Sequence, residues 1–331
     1  MLRRFKVVFV MACLWTTLSC AAENYGTNPA ALALVDELVQ EQGFDREELE
    51  RVFSQAERQE SILKAIARPA EKTKAWYEYR EIFLNAKRED EGVEFYALHR
   101  DTLARAEREF GVPSEIILAI LGVETYYGRI AGSYRVIDAL STLAFDYPRR
   151  SPFFTKELKN FLVLTKQQGF DPLSLKGSYA GAMGYGQFMP SSYLSYAVDF
   201  DGDGVIDIWN NPVDAIGSVA NYFKRHGWKT GGMVVSAADA NKDVADEWFV
   251  SGRKGLKPEH SVAQFAAQGL VAREVLAPET LAAAMKFELQ DGYEYWLGLH
   301  NFYVITRYNH SAMYAMCVYQ LSQRLAARVA Q

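Results

Sequence analysis

The sequence predicts a mainly α-helical protein of the α+β class, with one small β-containing portion near its end. Three observations predict it. Apolar residues recur at helical spacing through most of the first 230 positions. From Gly231 the texture changes to short alternating runs at Met233–Ser236, Trp248–Val250, Lys286–Gln290 and Tyr293–Leu299, with Asp291–Gly292 as a hairpin signal. From residue 299 onward the chain returns to a last amphipathic helix. The 331 residues, 49% of them hydrophobic, supply more than one core. A net charge of −5 argues against a nucleic-acid partner.

Residues 1–19 read as a processing segment. Arg3, Arg4 and Lys6 precede a short apolar run, Val7 to Trp15, and TTLSC then places Cys20 where a bacterial lipoprotein would be lipidated. Thr17 stands where leucine is usual, so secretory cleavage near Ala21 or Ala22, leaving a soluble exported protein, is the rival. Ala21 rather than aspartate after Cys20 favours the periplasmic face of the outer membrane. No other apolar run reaches a membrane-spanning length, so attachment would be through lipid. Of the other cysteines, Cys13 goes with the leader, and Cys317 sits with Met313 and Leu321 on the apolar face of the last helix.

Residues 20–110 read as a helical lobe. Ala31–Gln40, Arg46–Ala56 and Val93–Phe110 have helical spacing, and Asp45 with Glu48 makes a capping box for the second. The charge run Lys87–Glu91 reads as a solvated face or loop. Residues 111–230 follow as a core. In VPSEIILAILGVETYYG, Pro113 suits a helix start and Gly128 its end. At about 100° per residue, Glu124 falls in line with Ile117, Ile120 and Leu121, while Glu115 faces the other way. A carboxyl among apolar neighbours favours its protonated form, as a general acid requires. The alternative is an ion pair with Arg129, Arg135, Arg149 or Arg150. The last two, beside Tyr147 and Phe153, suit either an anionic sugar substituent or surface salt bridges.

LKGSYAGAMGYGQFMPSSY has glycines at 177, 181, 184 and 186, in neither a Walker nor a GxGxxG spacing. With its Ser, Tyr and Gln side chains it suits a neutral, hydroxyl-rich ligand, or else a tight structural hairpin. DFDGDGVID then puts Asp199, Asp201 and Asp203 at the first three acidic positions of a calcium loop, with Gly204 at the turn and Val205 at the carbonyl position. Asn210 stands where the bidentate glutamate belongs, and Asp214 is the substitute. A structural calcium ion is expected, and no catalytic cofactor. Residues 231–298 form the β-containing insertion, and 299–331 return to the core. HExxH, CxxC and GxSxG are absent, which leaves a shielded glutamate, a glycine-rich polar turn and many tyrosines: the parts of a glycan-cleaving site.

GVETYYG, FDYPRR, GSYAGAMGYGQFMPSSY, DFDGDG, NPVDAIGSVANYF and RYNHSAMYAM, with RPAEKTKAWYEYREIF in the N-terminal part, resemble the membrane-bound lytic murein transglycosylase B family. The resemblance implies a goose-lysozyme-like core with a helical lobe and a small β lobe. It implies cleavage of the β-1,4 bond between N-acetylmuramic acid and N-acetylglucosamine of peptidoglycan, leaving 1,6-anhydromuramic ends. By matching motif, Glu124 is the single catalytic acid/base. Ser178, Gln187, Phe188, Tyr222, Tyr308, Asn309, Tyr314, Arg149 and Arg150 would contact substrate, and Asp199, Asp201, Asp203, Val205 and Asp214 would hold the metal. The protein is expected to act as a monomer on glycan strands. Two rivals are a hydrolytic muramidase, with Asp138 or Asp146 as second carboxylate, and a peptidoglycan-binding scaffold without turnover.

Overall fold

A computed structural model describes residues 24–67 and 74–330. Cys20 and the expected leader therefore lie outside the described residues. The chain opens with α1 (Pro29–Gln42), α2 (Arg46–Gln55), α3 (Glu60–Ile66), α4 (Trp76–Phe83) and α5 (Ala86–Phe110). The Asp45 carboxylate caps α2 by accepting from the Glu48 N–H at 2.9 Å. α6 (Ser114–Thr125) and α7 (Val136–Phe145) follow, then α8 (Ser151–Gln168), α9 (Pro190–Tyr196) and α10 (Pro212–Arg225). Two short strands, β1 (Tyr134–Arg135) and β2 (Lys176–Gly177), pair antiparallel between them.

The described helices up to residue 110 do not pack as one lobe, contrary to the sequence expectation. α1, α2 and α3 share a hydrophobic core with α7 and α8 (Leu38, Phe53, Ile62, Leu140, Phe161). α4 and α5 instead join α6, α10 and the C-terminal helices (Trp76, Leu103, Ile117, Phe223, Leu321). The apolar positions of each helix decide this, because each face buries against whichever neighbour completes it. Nor is Lys87–Glu91 a solvated run. It lies in the first turns of α5, and Arg88 and Glu91 are buried there.

The last third contains a five-stranded antiparallel sheet of β3 (Val235–Ala240), β4 (His260–Ser261), β5 (Leu270–Ala272), β6 (Leu281–Glu288) and β7 (Tyr293–Gly298), with α11 (Val262–Ala267) packed on it. Strand order is β4-β6-β7-β3-β5. The β6–β7 hairpin closes around Asp291–Gly292 as expected, with the Leu289 N–H donating to the Gly292 carbonyl at 3.0 Å. β6 starts five residues earlier than the sequence suggests, because the alanine run Ala282–Ala284 reads as helical when seen alone. In the sheet, Ala283 faces Gly298, and a side chain added at Gly298 would meet Phe302 at 2.7 Å, so small residues are what this contact admits. Trp248 ends a short 3-10 turn and only Phe249 of that run bridges the sheet. The return is two helices, α12 (His300–Tyr308) and α13 (Ala312–Val329), broken at Asn309–Ser311. Cys317, on α13, is buried in the core.

Candidate active site

α6 is apolar all round: every residue from Ile116 to Val123 is buried. Glu124 is therefore not one carboxylate in a stripe but the half-buried residue at the end of a fully enclosed helix. The helix stops one residue later, at Thr125, rather than running to Gly128. Tyr126 and Tyr127 both adopt left-handed backbone conformations (φ 52 and 58). Such φ values are costly for non-glycine residues and persist only where packing enforces them. Here Tyr127 fits between α5 and α6: its hydroxyl donates to the Arg88 carbonyl at 3.0 Å, and a side chain at Gly122 would meet that hydroxyl at 2.6 Å.

Three further elements are joined around the end of α6. Tyr314, in the first turn of α13, places its hydroxyl 2.5 Å from Glu124 Oε1. The glycine-rich turn is tied to the end of α6, since Thr125 Oγ1 donates to the Tyr185 carbonyl at 2.9 Å and the Gln187 amide donates to the Ala131 carbonyl at 3.1 Å. The same turn is tied to the end of α12, where the Tyr308 hydroxyl donates to the Gly186 carbonyl at 2.5 Å. Below it, Phe188, Tyr222 and Tyr308 form an aromatic floor, with Tyr222 and Tyr308 ring centres 4.7 Å apart. Phe188, Tyr222 and Tyr314 are only 3%, 7% and 3% exposed, so they support more than they contact. Ser178, Gln187, Tyr308 and Asn309 are half-buried and have surface to offer.

The turn's own glycines are accounted for by the protein. Gly184, at φ 66, would drive a side chain into the Ile208 carbonyl at 2.3 Å, and one at Gly186 would meet the Tyr308 hydroxyl at 2.8 Å. Close approach here is of chain to chain. The ion-pair alternative for Glu124 loses two of its arginines: Arg129 binds Glu91 at 2.8 Å and Arg135 binds Asp138 at 2.7 Å. Arg149 and Arg150 are exposed in a short turn between α7 and α8, where Arg150 lies over the Phe153 ring at 4.4 Å. The proposed second carboxylates are also engaged. Asp138 accepts from the Glu57 N–H, and Asp146 accepts from the Tyr25 hydroxyl at 2.5 Å.

The acidic loop lies between α9 and α10. Asp199, Asp201 and Asp203 each bring an oxygen within 4.8 Å of the others. Backbone N–H groups draw them in: Asp199 accepts from Gly202, Asp203 and Gly204, and Asp203 accepts from Val205. The Gly204 N–H foremost holds the Asp199 carboxyl below its ordinary range. Asp214 does not join these three. It is fully buried, and its two oxygens accept from the Phe200 and Asp207 N–H groups at 2.7 and 2.8 Å, pinning both ends of the loop to α10. Three carboxylates brought together by backbone donors form a hard-oxygen set that fits calcium.

The profile of the transglycosylase SLT domain matches residues 27–323. The chain belongs to this transglycosylase family. It is 46% identical over 316 residues to the membrane-bound lytic murein transglycosylase B of Escherichia coli (strain K12), covering 92% of this chain and 85% of that one. The soluble lytic transglycosylase SltB1 from Pseudomonas aeruginosa superposes with a TM-score of 0.87 at 53% identity, over 92% of this chain and 100% of that one. The Escherichia coli lytic transglycosylase Slt35 in complex with calcium superposes at 0.86 with 46% identity, over 94% and 96%. The transglycosylase thus has the lysozyme-like fold of these enzymes.

Electrostatics around Glu124 follow from burial. Burial first, and the Glu124 charge second, push the Tyr308 and Tyr314 hydroxyls well above the ordinary phenol range, so both keep their protons. Several contributing residues carry no signal of their own in the sequence. Arg88 looks like one charge among many, yet it is 4% exposed. Its Nε donates to the Gly122 carbonyl at 3.0 Å, and its guanidinium lies 3.8 Å from the Tyr126 ring centre. Burial lowers its pKa. Gly92 and Gly122, on facing helices, are the one hint that a large side chain had to fit between them.

Proposed function

We propose that Glu124 is the single acid and then base of glycan-strand cleavage in this enzyme. As a family member the protein is a peptidoglycan lytic transglycosylase: it cleaves the β-1,4 bond between N-acetylmuramic acid and N-acetylglucosamine and leaves 1,6-anhydromuramic ends. The observation that carries the assignment of the acid is the Tyr314 hydroxyl 2.5 Å from Glu124 Oε1, where α13 meets the end of α6 beside the residue that ties down the glycine-rich turn. A phenol hydroxyl can accept from a protonated carboxyl or donate to an ionised one. Glu124 therefore keeps its partner in both states of the cycle. Protonated, it gives its proton to the glycosidic oxygen; ionised, it takes the proton of the muramic C6 hydroxyl as O6 closes on C1.

Paired carboxylates are usual in glycosidases, with substrate-assisted exceptions. The engagement of Asp138 and Asp146 away from Glu124 supports the exception, with the muramic N-acetyl oxygen stabilising the developing charge. Ser178, Gln187, Tyr308 and Asn309 would hold the glycan, supported by Phe188 and Tyr222 behind Tyr308 and by Tyr314 against Glu124. Arg149 and Arg150 would meet substrate carboxylates further out.

Glu124→Gln is expected to leave the melting temperature unchanged and to reduce muropeptide release from sacculi by at least about a hundredfold. Release near the wild-type rate would end the assignment. Wild-type products one water heavier than anhydromuropeptides would favour hydrolysis instead.

A structural calcium ion in the loop, held by Asp199, Asp201, Asp203 and the Val205 carbonyl, belongs to the same reading. A relative solved with calcium supports it. Lipid anchorage through Cys20 at the outer membrane is proposed from the leader and from the membrane-bound relative. Among the described residues no helix is long and apolar enough to cross a membrane. Cys20→Ala should move the protein from the membrane to the soluble periplasmic fraction, and unchanged fractionation would refute the anchor.

A further inference from the structure

At the opposite end of α12 from Tyr308, a cavity of about 520 Å³ opens where the β lobe meets the helical core. Eight residue rises separate the two ends of this helix, or roughly 12 Å. The cavity is thus a second site, outside the one built around Glu124. Its walls are apolar, from Met233, Pro258, Leu281 and Leu299. Met233 and Leu281 are 44% and 52% exposed, an unusual amount of bare hydrocarbon for two residues facing one hollow. Lys229 and Lys257 also line it, both exposed, and no acidic side chain does. In a chain of net charge −5 this is a local excess of positive charge.

The floor is rigid. The buried Asn301 amide binds both sides of the 229–232 turn, accepting from the Lys229 N–H at 2.9 Å and donating to the Lys229 and Gly232 carbonyls at 2.8 Å each. Lys229 is therefore held at the mouth by its backbone while its ammonium stays free to turn. Volume, apolar lining and a few polar groups at the edge are the features of small-molecule sites. A lysine ammonium is a strongly hydrated point charge that meets anions best at a wet rim.

We infer that this cavity binds one molecule of an anionic amphiphile, a carboxylate or phosphate on an unbranched apolar chain. The chain lies against Met233, Leu281 and Leu299, and the head group sits between Lys229 and Lys257.

The test uses the mature, folded protein with its methionine methyl groups labelled for NMR. Decanoate, below its micelle concentration, should shift the Met233 methyl resonance saturably with one-to-one stoichiometry. The Lys229→Glu/Lys257→Glu variant should weaken that binding at least tenfold while muropeptide release stays at the wild-type rate. Leu281→Asp, on the apolar wall, should weaken it as well. Equal binding of decyl maltoside, or no effect of the charge reversals, would overturn the anion assignment. Lysine-dependent retention on phosphatidylglycerol vesicles without any response to decanoate would overturn it too, making this a membrane-facing surface.

Discussion

At the scale of single residues, burial outweighs the helix dipole at His226. His226 ends α10, where a positive charge would be favoured by the helix dipole by typically 0.3–1 kcal/mol. Its ring nevertheless stacks on Tyr222 at 4.0 Å, faces Tyr196 and lies near the Arg307 charge, and burial first of all lowers its pKa below the ordinary 6.5. The sign is then fixed. The unfolded chain takes up the proton at a higher pH than the folded one, so stability is lost as pH falls from the unfolded pKa toward the folded one. Melting temperature should drop between pH 7 and pH values below about 6.5, and His226→Gln should flatten that drop. A variant with the wild-type slope would show that His226 carries none of it. Arg88 obeys the same physics: sequence places it in a charge run, and only the neighbours Gly122 and Tyr126 explain its burial.

At the scale of elements, sequence reads starts better than ends. Asp45 marks the beginning of α2 because its cap is made within four residues. The end of α6 at Thr125 leaves no local signal, because a left-handed turn at two tyrosines is unfavourable locally and is enforced by α5. The glycine-rich turn lies between these cases. Its irregularity is visible in the spacing, but the reason for each glycine lies in distant segments: Ile208 for Gly184, and Tyr308 for Gly186. Gly184→Ala combines a left-handed backbone with a backbone clash. It should cost about 1–3 kcal/mol and lower activity by displacing Gln187, two positions beyond Tyr185. Denaturant unfolding and muropeptide release would check both parts, and a variant of unchanged stability would contradict the packing argument.

At the scale of the molecule, the candidate site is a seam. Tyr308 packs against both helical cores, and the glycine-rich turn, the end of α6 and the start of α13 meet beside it. The acidic loop bears on the same seam from outside. Its Phe200 is gripped from α5, where the Arg105 guanidinium lies 3.6 Å from the ring centre, and its ends are pinned by Asp214 from α10. A bound ion should therefore stabilise the whole fold. Calcium at about a hundred times its Kd adds roughly 2.7 kcal/mol, so chelation should lower the melting temperature and restored calcium should recover it. Indifference of the melting temperature to both would remove the ion from the structure.

The family blocks, the apolar surroundings of Glu124, the acidic loop and the hairpin at Asp291–Gly292 were all legible in the sequence, because each is a local pattern of residue types. The division of helices α1–α5 between two cores was not, nor was the separation of Asp214 from the three loop aspartates, nor the alanine-lined strand β6. Those depend on which surfaces meet after folding. Contacts between segments a hundred or more residues apart leave no period or spacing in the chain. Local pattern thus determined which family the chain belongs to, and long-range packing decided that Tyr314 is brought against Glu124.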